Sequence, residues 1–328
     1  NGTVIMRKVK LPEVNKYTTI YAELTQESNG DAYDRTGSVF VVPTDRKQSF
    51  LDGLQQGLKS LPVYKSKSSE YQGVVLTDEF LPVIELMRFF TPFGVGYFND
   101  KRAVEGIDWE KQAFYRQEVT ELASQLKNEV WIGVFIGNYD KGGHKVSLDL
   151  KFHSGALKKS EAGKKVDNQW ILPLFNTLNV MEMAGQNYGT MFKDDTLKVQ
   201  FEVPEGVKNI VFRYIATGHG GWGNGDEYNK KVNHIFLDGK EILHHIPWRS
   251  DCGTYRKYNP ASGNFWNGIS SSDGSRSGWC PGTITNPVYV SLPDLKPGKH
   301  EIWVAIPMGK PEGTSFSSWS VSGLLLGE

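Results

Sequence analysis

The chain has 328 residues, 39% of them apolar, which is enough for two hydrophobic cores and more than one ordinary domain holds. Lys plus Arg and Asp plus Glu both number 37, so the formal net charge is zero and no basic field exists to hold nucleic acid or an anionic membrane surface. No apolar run reaches the roughly eighteen residues of a membrane-crossing helix, so no transmembrane segment of that kind is expected.

With 35 glycines, 15 prolines and 12% aromatics, the composition points to an all-β chain of short strands and many turns, with little helix. Strands are expected at Tyr17–Leu24 and Gly37–Pro43, paired as neighbours, with Asp34 in the turn between them. Ser49–Leu58 has near-helical apolar spacing interrupted by glycine and reads as a surface excursion without a functional role. A helix is expected over Asp108–Leu126, where Phe114, Val119, Leu122 and Leu126 fall near one stripe. Strand character returns at Glu129–Ile136 and Lys145–Phe152. The charged, small-residue run between Ser154 and Asn168 is the expected linker, which divides the chain into domains 1–155 and 156–328. Beyond it, strands are expected at Trp170–Phe175, Leu197–Val203, Asn209–Ile215, His234–Leu237, Tyr289–Leu292, His300–Ile306 and Ser317–Leu326. No internal repeat is evident.

The chain begins at Asn1 without methionine, so removal of a signal or anchor segment and export are expected: secreted, periplasmic or at the cell surface. Its two cysteines, Cys252 and Cys280, bracket a loop rich in Gly, Ser and Asn. A disulfide there suits an oxidising compartment and stabilises by roughly 3–4 kcal/mol on the chain-entropy model; two buried thiols are the alternative.

A β-sandwich supports binding, structure and catalysis alike, so function must be read from sites. Asp34 could cap its own turn, but the adjacent Arg35 is placed to hold the carboxylate ionised. Glu227 follows the glycine-rich Thr217–Gly225 run, which contains His219 and Trp222 and whose backbone could approach a ligand closely. In Arg276–Gly282, an arginine and Trp279 stand beside Cys280; an indole face suits a pyranose and a guanidinium can donate to sugar hydroxyls or a carbonyl oxygen. Trp248 and Trp266 enrich neighbouring loops. His244 and His245 with His234 and His219 could be gathered around zinc or copper, yet adjacent residues on a strand face opposite ways, so at most one of the pair joins the others. No metal site is expected, and no phosphate loop, dinucleotide fingerprint or Ser-His-Asp order stands out.

Taken together, Tyr33-Asp34-Arg35 before a strand, Phe90-Thr-Pro-Phe-Gly-Val-Gly96, Asp226-Glu227-Tyr228 with His234-Ile235 downstream, and Ser275-Arg276-Ser-Gly-Trp279-Cys280-Pro-Gly282 resemble, in order and spacing, bacterial peptide-N-glycosidases of the F type. The resemblance spans both halves and places Cys252 in the partner-cysteine slot. It implies two eight-stranded jelly-roll β-sandwiches packed side by side, with the site in the cleft between them. It implies an amidase that cuts the bond between an asparagine side chain and the first N-acetylglucosamine of an N-linked glycoprotein or glycopeptide, without metal or organic cofactor. The expected catalytic residues are Asp34, Arg35, Glu227 and Arg276, with Trp279, Trp222, His219 and Tyr228 for substrate, in a monomer. The sequence departs from the family pattern at Phe135, where a second acid stands, at Gly225 and Asn229, where cysteines bracket the glutamate, and in a longer excursion over 45–80. A noncatalytic glycan-binding protein is the alternative; a copper monooxygenase of related architecture needs a histidine–methionine constellation that cannot be assembled here.

Overall fold

The computed structural model describes residues 3–15, 17–67, 69–155, 169–178, 188–220, 225–308 and 317–328. Its first half carries β1 (Val4–Lys10), β2 (Thr18–Ser28), β3 (Thr36–Val42), α1 (Phe50–Gln56), β4 (Val63–Lys65), β5 (Glu70–Gln72), β6 (Ile84–Phe90), β7 (Ala113–Glu118), β8 (Glu129–Ile136) and β9 (His144–Ser154). The second carries β10 (Trp170–Asn176), β11 (Leu197–Val203), β12 (Val211–His219), β13 (Asn233–Leu237), β14 (Lys240–His245), β15 (Ile284–Thr285), β16 (Val288–Ser291), β17 (Gly298–Ala305) and β18 (Ser318–Gly327). No helix among the described residues is long and apolar enough to cross a membrane.

The second half is a jelly roll: one sheet runs β10-β18-β12-β16 and the other β11-β17-β13-β14. The first half repeats that winding in its β1-β8-β3-β6 sheet, which the short β15 from the second half extends at the β6 edge. Its opposite sheet is different, because β2 pairs with β7 on one side and β9 on the other while β4 and β5 form a separate hairpin. That detached hairpin is the excursion over 45–80, and it is not a mere surface feature. Phe50, Tyr71 and Val74 pack with Leu174, Phe175 and Met191 of the second half, and the Tyr64 hydroxyl donates to the Thr196 carbonyl.

The four sheets therefore stack as layers around two cores. Ile20, Leu24, Val39, Leu86, Phe89 and Tyr115 fill the space between the first two. A larger core begins at the other face of the β3 and β8 strands, with Phe40 and Phe135, and continues through Phe175, Phe212 and Trp319. The expected alternation of strand faces explains this division, since β3 sends Val39 and Val41 one way and Phe40 and Val42 the other. Phe135, where the family pattern has an acid, is only 3% exposed in this shared core. Between the inner sheets lies the fully buried pair Glu85–Arg88, joined at 2.7 Å; Ser38 and Ser322 donate to Glu85, and Arg88 donates to Thr217 and the Ser320 carbonyl. Charges taken out of water need such partners on every side.

Two further expectations fail here. β2 and β3 are not neighbours but belong to opposite sheets of one sandwich, so residues 29–35 cross its end and Asp34 sits at that rim. Residues 108–126 are not a helix. Ala113 and Tyr115 are buried while Phe114 is exposed, a period of two that makes β7, and Val119, Leu122 and Leu126 are buried from a short 3-10 turn at Thr120–Gln125. The linker expected between Ser154 and Asn168 lies almost wholly outside the described residues.

Candidate active site

Asp34 is set by the segment that ends β6. Thr91 grips both sides of it: its hydroxyl donates to the Tyr33 carbonyl and accepts from the Arg35 amide, and its own amide donates to the Arg35 carbonyl. The next aromatic upstream, Phe90, stacks on Trp279 with ring centroids 4.3 Å apart, which ties the Asp34 loop to the disulfide loop of the second half.

Arg276 is placed from that second half. Cys252 and Cys280 are disulfide-bonded, and Arg249 and Arg276 exchange backbone hydrogen bonds at 2.8 and 2.9 Å. Gly278 follows with φ +85, and a Cβ there would meet the Ala216 carbonyl oxygen at 2.6 Å, so only glycine suits the turn between Arg276 and Trp279. Glu227 is fastened to the same loop: its carbonyl accepts from the Ser277 amide, and the Ser277 hydroxyl donates to the Asp226 carbonyl.

These supports bring two carboxylates to one guanidinium. Arg276, 1% exposed, pairs through Nη2 with Asp34 Oδ2 at 3.3 Å and through Nη1 with Glu227 Oε1, while Nη2 also donates to the Ser271 carbonyl. Its guanidinium lies over the rings of Trp279 and Tyr228, at 4.4 and 5.1 Å from their centroids. Both carboxylates keep a window to solvent, 15% for Asp34 and 16% for Glu227. Burial pushes the Asp34 carboxyl up to about 6, against the pull of Arg276 and Arg35. Burial also holds His219 down at about 3, so the imidazole is neutral; it accepts or donates to the Thr217 hydroxyl at 2.8 Å and stands against Phe90 and Trp279.

Arg35 favours the charged form of Asp34 only from a distance, because its directed hydrogen bonds go elsewhere. Its Nε and Nη2 form a bidentate pair with Asp31, at 2.7 and 3.1 Å, because the loop turns the two side chains toward each other four residues apart. Asp31 is fully buried, with His144 at 3.4 Å; burial works against its charge, and His144 and Arg35 overcome it to bring the carboxyl down to about 2. The outer side of Arg35 faces Tyr33 and Tyr139, both 58% exposed, with ring centroids at 5.0 and 5.3 Å. Sequence reasoning missed Asp31, Tyr33 and Tyr139 as parts of this site. The first two stand within the Asp34 motif, whereas Tyr139 carries no local signal.

Asp34, Glu227, Arg276, Trp279, Tyr228 and His219 thus come together at the seam between the halves, with Arg35 beside them on Asp31. Trp279 is 3% exposed and donates its Nε1 hydrogen to the Gly218 carbonyl, so it offers no open sugar-stacking face and instead backs the guanidinium. Trp222 lies outside the described residues. Trp248 lines a separate cavity of about 620 Å³ with Arg116, Arg249 and Tyr255, which holds neither Asp34 nor Glu227, and Trp266 is 98% exposed.

Residues 1–152 match the family model described as peptide-N-glycosidase F, N terminal, and residues 187–326 match the corresponding C-terminal model. PNGF-II, in two crystal forms, is 56% and 57% identical with TM-scores of 0.93 and 0.94; the match covers 100% of this chain and 60% of that one. The chain therefore spans 60% of the length of PNGF-II. PNGase F, a glycosylasparaginase from Flavobacterium meningosepticum, shares the fold at 17% identity and a TM-score of 0.64, over 99% of this chain and 89% of its own. A comparison with curated proteins finds no match. With both halves matched in order and the whole chain superposing on PNGF-II, the chain belongs to the peptide-N-glycosidase F family.

Proposed function

We propose that this chain hydrolyses the amide between an asparagine side chain and the first N-acetylglucosamine of an N-linked glycan, leaving aspartate in the peptide and releasing a glycosylamine. The observation that carries the reading is the placement of Asp34 and Glu227, from different halves of the chain, on the one buried guanidinium of Arg276. Family membership supplies the reaction class.

In this reading Asp34 is the base. With its carboxyl at about 6 it is ionised at neutral pH yet basic enough to take a proton from water as the oxygen attacks the amide carbon. The C–N bond then breaks, and the proton held by Asp34 passes to the departing nitrogen. Arg276 directs Nη1 and Nη2 to the two carboxylates and Ser271, so its part is to hold them in register. Arg35 is better placed for the charge that develops on the carbonyl oxygen, because Asp31 fixes the guanidinium through Nε and Nη2 and leaves Nη1. Glu227 positions the water or the sugar, and the exposed faces of Tyr33 and Tyr139 provide the platform for the glycan core. No residue step requires a metal. We further propose division into units at 155/156, monomeric action, and work outside the cytoplasm, for which the Cys252–Cys280 disulfide is the support.

Incubation with a defined N-glycopeptide, followed by mass analysis of the peptide, tests the reading. Aspartate at the former glycosylation site is the expected product. A peptide that keeps one N-acetylglucosamine overturns the amidase assignment, and an intact glycopeptide retained by the protein favours a glycan-binding role.

A further inference from the structure

The hairpin β13–β14 carries a second cluster of chemistry-bearing side chains, on the solvent face of the outer sheet of the second half. Asp238 and Gly239 close the hairpin with φ +50 and +82, the left-handed pair that a two-residue turn demands. His234 and His244 are direct cross-strand partners. Glu241 is three residues before His244, and on a regular strand that spacing would send the two side chains to opposite faces. The register shifts between Ile235 and Phe236, however, pairing them with Leu243 and Glu241 and leaving Ile242 as the extra residue of a bulge. The bulge reverses the parity and brings Glu241 to the face of His234 and His244.

Their ligand atoms converge. His234 Nδ1 and His244 Nδ1 stand 2.8 and 3.5 Å from the same Glu241 Oε1, the two imidazoles are edge to face at 5.0 Å, and one ligand atom from each residue lies within 4.8 Å of the others. Zinc bonds of about 2.0–2.2 Å in a tetrahedron separate neighbouring ligand atoms by about 3.3 Å, so the two observed nitrogen–oxygen distances bracket the value needed. All three residues keep solvent access, which leaves a fourth position for water. His245 takes no part: paired with Asn233, it faces the other way and lines the cavity that holds Trp248. His219 is committed to the stack on Phe90.

We propose that His234, Glu241 and His244 form a binding site for one zinc ion, a clamp of two imidazoles and one carboxylate across the outer hairpin that is separate from the hydrolytic site. That donor set suits zinc and other borderline divalent ions rather than calcium or magnesium.

Isothermal titration of zinc chloride into the chelator-stripped protein tests this, with bound metal counted independently after gel filtration. One saturable site per chain is expected. His234→Gln and His244→Gln should each weaken it at least about 10-fold, since even the loss of an outer-shell partner costs 10–100-fold in many metal sites. Glu241→Gln should weaken it as well, while His245→Gln should leave it unchanged. The variants sit on an exposed hairpin, and circular dichroism of each confirms folding. Absence of saturable zinc binding overturns the proposal, as does equal affinity in the His234→Gln/His244→Gln double variant. Magnesium in place of zinc should give no saturable heat; comparable binding of both would reduce the site to a nonspecific charge cluster. Because the readout is metal binding, it stands whether or not the amidase reading survives.

Discussion

Two arginine–carboxylate clusters lie a few residues apart on the Asp34 loop, and they behave oppositely. Asp31 is fully buried and is brought down to about 2; Asp34 keeps a 15% window to solvent and is pushed up to about 6. The difference is geometric. Arg35 meets Asp31 with two hydrogen bonds, the Tyr33 amide adds a third, and His144 stands close by, so the charge is solvated by the protein. Arg276 is divided among Asp34, Glu227 and the Ser271 carbonyl, which leaves Asp34 a long contact of 3.3 Å and a hydrogen bond from its own backbone against a costly burial. Burial pushes both carboxyls up, and only at Asp31 do the directed donors outweigh it. Asp31 is thereby held as a charge, whereas the Asp34 carboxyl is held closer to neutrality.

The hardest blow to this contrast is Arg276→Ala, which strands two carboxylates at once. Losing one partner of a buried pair typically costs about 3–5 kcal/mol, so urea unfolding should show a drop of that order together with loss of glycopeptide hydrolysis. An unchanged midpoint would show that Arg276 is not what holds the carboxylates. Next in size, Asp34→Asn keeps shape and hydrogen bonding but removes the base, so turnover should fall at least about 10²-fold while glycopeptide binding persists. Glu227→Gln should lose less, because an amide oxygen still accepts a hydrogen bond. Steady-state kinetics on one glycopeptide ranks the two, and near-native turnover by Asp34→Asn would remove it from the mechanism.

Asp31 provides the opposite test, on stability. Its folded carboxyl lies at about 2 against 3.8 in the ordinary state, a gap worth roughly 2 kcal/mol at 1.36 kcal/mol per unit. Because the folded value is the lower one, this contribution is present above about pH 4 and fades as the pH falls toward 2. The stability gap between the native chain and Asp31→Asn should therefore narrow across that window in denaturant titrations at successive pH values, and a gap that stays constant would contradict the clamp. The smallest effect is on the pH profile, through the Arg35 charge that lowers the Asp34 carboxyl from a distance. The acid limb of kcat/KM should fall near pH 6, and Arg35→Gln should move it to higher pH, because a carboxylate that loses a nearby positive charge holds its proton more tightly. A limb that stays in place would assign it to another group.

Much of the architecture was legible because strand alternation and turn residues are local. Leu197–Val203 alternates without interruption and is β11 residue for residue, and the expected strands from Glu129, Lys145 and Trp170 lie within β8, β9 and β10. Reading 108–126 as helix failed because the stripe of Phe114, Val119, Leu122 and Leu126 mixes an exposed strand residue with three buried ones from the turn that follows. At the site, the motifs around Asp34, Glu227 and Arg276 were visible, and they do meet. Their partners were not: Arg35 was assigned to its sequence neighbour Asp34, although its bonds go to Asp31, and Trp279 was assigned to sugar although it backs Arg276.

By itself the sequence determined an all-β chain with a family-typical set of carboxylates, arginines and two cysteines, since composition, alternation and short motifs are written in neighbouring residues. Tertiary structure alone decided that one sheet of each half winds in the same order without a visible repeat, that a hairpin leaves the first roll to pack on the second, and that β15 crosses back to β6. It also decided which acid stays charged and which holds its proton to about pH 6. That choice depends on how donors are shared among groups far apart in the chain, and no stretch of sequence contains the distance from Arg276 to Asp34.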